Sequence, residues 1–149
     1  MHEFVYEALP GRVVFGIDSL DQLADEVVRL GVAKALVLCT PQQRAQAEDI
    51  SARLGDRSAG VYDKAEMHVP IDVAKAAREE AQRLGADACV AVGGGSTIGL
   101  GKAIALEFGL PIIAVPTTYA GSEMTPIWGL TEDGVKKTGR DPKVLPTTV

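Results

Sequence analysis

The sequence predicts an α/β domain: a mainly parallel sheet with helices on both faces, and β-hairpin strands added at the amino- and carboxy-terminal ends. Three observations carry this expectation. Strand-length apolar runs alternate with helix-length amphipathic segments through the middle of the chain, the pattern of parallel strands joined by helical crossovers. The runs at 35–39 and 88–92 are apolar without alternation, as strands covered on both faces must be. Three consecutive glycines then separate the second run from a helical pattern. The 149 residues suit one domain around one core, since domains of about 100–150 residues are the commonest.

Taken in order, Phe4-Val5-Tyr6 and Arg12-Val13-Val14-Phe15 are β-rich runs about Pro10-Gly11 and predict a hairpin or a pair of edge strands. Ser19, with Gln22 three residues on, has the spacing of a capping box. Leu20, Leu23, Ala24, Val27, Val28 and Leu30 then form a helical stripe that Gly31 ends. After the strand at 35–39, a polar segment at 42–54 reads as a helix stopped by Gly55, and 59–62 as a weaker strand. Pro70 introduces a strong helix at 71–84 and Gly85 terminates it. A further helix spans 97–108, its end marked by Gly109 and Pro111, and a strand follows at 112–115. Runs at 127–130 and 135–138 flank Glu132-Asp133-Gly134, a tight-turn signal between antiparallel strands. Leu145-Pro146-Thr147-Thr148-Val149 reads as the start of one more strand, so a following domain is expected.

Composition narrows the function. A formal charge of −5 disfavours a nucleic-acid binder, which needs a basic face to neutralise phosphates. No apolar run approaches the ~20 residues of a membrane span, and residues 1–7 lack the apolar stretch of a signal peptide. Cys39 and Cys89 close apolar runs and read as core thiols, which suits a reducing cytoplasm. His2 and His68 are the only histidines, and no pair of histidine and acidic residues has metal-ligand spacing, so no metal site is expected in this chain.

Ligands of parallel α/β sheets gather at the carboxyl ends of the strands, which points to the loops at 40–42, 93–97 and 116–125. Gly93, Gly94 and Gly95 carry no Cβ bulk, so a phosphate can approach the amides at the start of the next helix, where Ser96 and Thr97 add hydroxyls. The other reading of such a turn is close helix-to-sheet packing. Lys102, six residues beyond Ser96, is expected as a solvated surface lysine. The segment has neither the Lys-Ser or Lys-Thr pair of a Walker motif nor the spacing of Gly-x-Gly-x-x-Gly. In the third loop Thr117, Thr118, Tyr119, Ser122 and Thr125 concentrate hydroxyls beside Glu123, suited either to hydrogen-bonding a nucleotide or to capping their own turn.

The stretches 16–31, 93–102 (Gly-Gly-Gly-Ser-Thr-Ile-Gly-Leu-Gly-Lys) and 116–125 together resemble the amino-terminal part of the iron-containing alcohol dehydrogenase superfamily, and most of all its maleylacetate reductase branch. The resemblance implies a Rossmann-like domain, of the dehydroquinate synthase kind, over 1–149, with a helical carboxy-terminal domain outside this chain. It implies that Gly93, Gly94, Gly95, Ser96 and Thr97 hold the pyrophosphate of NADH or NADPH. Thr117 and Thr118 would lie toward the adenine, and Thr125 and Lys136 or its neighbour toward the ribose and nicotinamide, with Thr40, Tyr119 and Ser122 also expected among the cofactor-binding residues. Where metal-dependent relatives carry Asp, this chain has Gly99, and where NAD-specific relatives carry an acidic residue, it has Thr40, so both cofactors are expected to be accepted. The implied reaction is reduction of the carbon–carbon double bond of maleylacetate to 3-oxoadipate in aromatic-compound catabolism, by a cytoplasmic homodimer paired through the amino-terminal strand, with catalytic residues in the other domain. A metal-dependent alcohol or glycerol dehydrogenase, and a nucleotide-binding module without chemistry, are the alternatives.

Overall fold

The computed structural model describes residues 9–149. In chain order the elements are α1 (Leu23–Arg29), β1 (Ala35–Leu38), α2 (Arg44–Leu54), β2 (Ser58–Tyr62), α3 (Ile71–Arg83), β3 (Ala88–Gly93), α4 (Gly95–Phe108), β4 (Ile112–Pro116), β5 (Ile127–Glu132) and β6 (Val135–Arg140). The first four strands form a parallel sheet in the order β2-β1-β3-β4, and β5 and β6 form a separate antiparallel pair. The predicted parallel α/β fold and its carboxy-terminal hairpin are therefore observed.

Burial on both faces explains the unbroken apolar character of β1 and β3. Val37, Cys39, Val90 and Val92 pack on one face against Leu23 and Val27 of α1 and Ala47, Ile50 and Leu54 of α2. Leu36, Leu38 and Cys89 pack on the other against Ala74, Ala77 and Ala81 of α3 and Leu100 and Ile104 of α4. Both thiols are buried and free, and burial raises Cys89 to about 12, so neither is a ready nucleophile at neutral pH.

Some local signals resolve differently from their sequence reading. Residues Ser19–Gln22 form a turn of 3-10 helix preceded by Asp18 at φ 58°, and no side chain caps it, so the capping-box spacing makes no box. Val14 N donates to Val149 O at 2.8 Å and Val149 N to Arg12 O at 2.9 Å. Residues 12–14 thus run parallel to the chain's last residues, while Phe4-Val5-Tyr6 lies outside the described residues. The closing stretch does extend the sheet: Ala114 N donates to Thr148 O at 2.8 Å, giving the outer edge of β4 a parallel partner. The 132–134 turn is as expected, with Asp133 and Gly134 both at positive φ, the geometry whose twist matches an antiparallel hairpin.

Candidate functional site

Strand order fixes where a ligand fits. The chain passes from β1 outward to β2, then crosses back over β1 to β3, so the connections leaving the carboxyl ends of β1 and β3 diverge and leave a crevice. Thr40 and Gln43 stand at the end of β1, Gly93 and Gly94 at the end of β3, and Thr117 and Thr118 follow β4. Thr40 Oγ1 lies 3.2 Å from Gln43 Oε1, Gln43 Nε2 donates to Thr117 Oγ1 at 3.1 Å, and Thr117 N donates to Gly93 O at 3.0 Å. Three separate loops are thereby tied together above the switch point. Gln43, which links them, was not singled out from the sequence; its only signal was its place one turn beyond the first buried strand.

Helix α4 begins at Gly95, two residues before its sequence-predicted start, so Gly93 ends β3, Gly94 is the extended cap and Gly95 is already helical. The first amide bonded back into the helix is that of Ile98, to Gly94 O, which leaves the preceding amides directed outward where the helix dipole is positive. Bulk is excluded here by the protein itself. A Cβ on Gly93 would lie 2.6 Å from Gln43 Oε1 and Thr97 Oγ1, and Gly93 sits at φ 146°; a Cβ on Gly94 would lie 2.7 Å from Thr118 Oγ1. Gly95 differs, because nothing stands closer than Ala120 at 4.0 Å. Thr97 is fully buried and its Oγ1 has no partner among the described residues, so its hydroxyl does not reach the surface, whereas Ser96 remains accessible.

A cleft of about 570 Å³ opens beside this helix start, bounded by Ser96, Gly99, Ser122, Thr125, Trp128 and Lys136. The volume suits part of a dinucleotide, since small-molecule pockets span roughly 300–1,000 Å³. Lys136 reaches it from β6, whereas Lys137 is ion-paired with Glu132 on the hairpin. Of the two lysines, the structure brings the first to the site. Tyr119 is not brought there: it is 79% exposed and lines a groove with Val13 and Phe15 instead. Among the described residues His68 lies on the cleft rim, at φ 64°, followed by Val69 at φ 47°. A β-branched residue in that region costs about 1–3 kcal/mol. The strain is held by Val69 O accepting from Thr131 N at 3.0 Å and by His68 O accepting from Thr131 Oγ1 at 2.8 Å. Val69 in turn fills the space over Gly99, where a Cβ would come within 2.8 Å of it.

Lys102 departs most from its sequence reading. It is not a solvated surface lysine but is completely buried within α4, and its Nζ donates to Thr125 O and Ile127 O, both at 2.7 Å. Burying an ammonium costs several kcal/mol even after relaxation. Two charge-assisted bonds return about 1.5–3 kcal/mol each, so the group roughly breaks even and its value lies in geometry. Burial lowers its pKa to about 8, against a raising effect of the nearby Glu123 carboxylate. Glu123 is 4% exposed, and its Oε2 has no hydrogen-bond partner among the described residues. No composition or spacing signal marks this lysine, because the carbonyls that hold it lie more than twenty residues away.

Comparison with known proteins gives a consistent picture. The chain is 60% identical over its whole length to a maleylacetate reductase of Burkholderia cepacia, and spans 42% of that protein's length. It is 56% identical over 147 residues to one from Sphingobium indicum, again spanning 42%. The crystal structure of maleylacetate reductase from Agrobacterium tumefaciens superposes with a TM-score of 0.94 at 53% identity, over 99% of this chain and 42% of that one. The chain thus covers about two fifths of these relatives. Residues 10–149 match the family described as iron-containing alcohol dehydrogenase, and with nearly its whole length inside that match the chain belongs to that family.

Proposed function

We propose that residues 1–149 form the dinucleotide-binding domain of a maleylacetate reductase, and that a helical domain completes the enzyme. The observation that carries the reading is the glycine turn: outward-facing amides at the start of α4, at the switch point of a parallel sheet, open onto a cleft with a lysine on its far wall. The identity to named maleylacetate reductases supports the substrate.

In this reading the amides of Gly94, Gly95 and Ser96 bind the pyrophosphate, Gly93 sets the turn and buried Thr97 supports it from below. Thr40, Gln43, Thr117 and Thr118 bound the adenosine side, and Ser122, Thr125 and Lys136 orient the ribose and nicotinamide. When bound, the reduced nicotinamide would supply a hydride to one carbon of the maleylacetate double bond, and the completing domain or solvent a proton to the other, giving 3-oxoadipate and the oxidised cofactor. This chain contributes orientation, positive potential and exclusion of water rather than a proton donor. Thr40 bears no charge that would repel a 2′-phosphate, so NADH and NADPH are both accepted. Val69 closes the space over Gly99, where metal-dependent relatives carry an Asp, and the reduction proceeds without a metal. The enzyme works in the cytoplasm as a homodimer.

The test is maleylacetate-dependent oxidation of each reduced cofactor by the full-length protein, before and after exhaustive chelation. Turnover within about tenfold for the two cofactors, unchanged by the chelator, is expected. A thousandfold preference for NADH would remove the dual specificity, loss of activity on chelation would remove the metal-free mechanism, and no oxidation of either cofactor would remove the assignment.

A further inference from the structure

The cleft has two walls of different origin. One is α4, anchored in the core by residues such as Leu100 and Ile104. The other is the entry to the β5–β6 hairpin, a two-stranded unit that takes no part in the main sheet, and isolated hairpins are marginal in water. Lys102 joins them: its backbone belongs to α4, and its Nζ holds the carbonyls of Thr125 and Ile127 on either side of Pro126. Among the described residues the other polar tie reaches the hairpin's middle, where Thr131 bonds Val69 and His68. Lys136 lies opposite Thr131 in the hairpin register, so its place over the cleft depends on both ties.

We infer that Lys102 is a positioning residue, a buried cationic strut that sets Thr125 and, through the hairpin, Lys136 against the nicotinamide half of the cofactor, while leaving the glycine turn untouched. The inference rests on the proposed dinucleotide site. It accounts for a full charge kept where an apolar side chain of similar length would fill the same volume. An ammonium can grip two carbonyls that no aliphatic group could hold. The buried Glu123 carboxylate, two residues before Thr125, supplies the opposite charge.

The two halves of the cofactor separate this role from a general loss of fold. ADP probes the adenosine and pyrophosphate end alone, and NADH probes both ends. In titrations of the full-length protein, Lys102→Met is expected to weaken NADH at least tenfold and to leave ADP within about twofold. Adding Lys136→Ala to Lys102→Met should then cost little more, because the strut acts through that lysine. In the ligand-free protein, the emission of Trp128, the only tryptophan in the sequence, should shift as the hairpin moves. Should Lys102→Met fail to fold, Lys102→Arg, which keeps the charge but misplaces the donors, is read in the same way. Unchanged NADH affinity, equal loss of ADP and NADH, or fully additive effects of the two substitutions would each overturn the inference. An unsubstituted protein that binds ADP but not NADH, or neither, would remove the underlying site reading instead.

Discussion

A methyl group at Gly94 would stand 2.7 Å from Thr118 Oγ1, closer than real Cβ contacts allow, so either the threonine or the turn must move. Because the strain falls on the proposed phosphate cradle and not on the core, Gly94→Ala is expected to weaken NADH by at least tenfold while shifting the melting temperature by only a few degrees. Titration beside a thermal melt checks both. At the opposite side of the sheet, Arg12 and Arg29 hold the buried Glu26 carboxylate, which Thr148 Oγ1 also approaches. The hydrogen bond from Arg12 is the main cause that lowers Glu26 from its usual 4.5 to about 2. A carboxylate lowered on folding contributes stability that is fully present above about pH 4.5 and is lost as pH falls toward 2. Acid unfolding followed by circular dichroism should therefore be less steep between those values in Glu26→Gln than in the unsubstituted protein. Both sites were half-legible: the glycines stood out as a pattern, whereas nothing in the sequence paired Glu26 with Arg12 or seated Lys102 beneath Thr125.

Among the elements, the β5–β6 hairpin is where local sequence and tertiary placement divide most clearly. Its turn and both strands were readable from Glu132-Asp133-Gly134 and the flanking runs. Its relation to the cleft was not, since that depends on Lys102 and on the strained pair His68-Val69. The indole of Trp128 lies across Gly139, where a Cβ would meet the ring at 2.5 Å. Gly139→Ala should displace the ring, change tryptophan emission and weaken NADH, with ADP little affected; fluorescence and paired titrations measure this. Helix α4 shows the complementary case. Its interior was predicted correctly, but its start was placed two residues late, because glycines have low helix propensity. The structure overrides that preference, since the turn must bring free amides to the end of β3.

For the molecule as a whole, Thr147–Val149 lie between the edge of β4 and residues 12–14, bonding to both. Removing those three residues would uncover a strand edge and cost Arg29 its bond to Thr148. A lower melting temperature and concentration-dependent association are expected, read by calorimetry and light scattering. Hydrophobic periodicity and turn chemistry are local, so the sequence alone determined the alternating α/β fold, the doubly covered strands and the glycine turn between β3 and α4. Only the tertiary structure decided which lysine is buried and which faces the cleft, that Tyr119 points elsewhere, and that Gln43 bridges three loops. Those outcomes turn on contacts between residues far apart in the chain, where burial and a partner's carbonyl, rather than residue type, set what a side chain does.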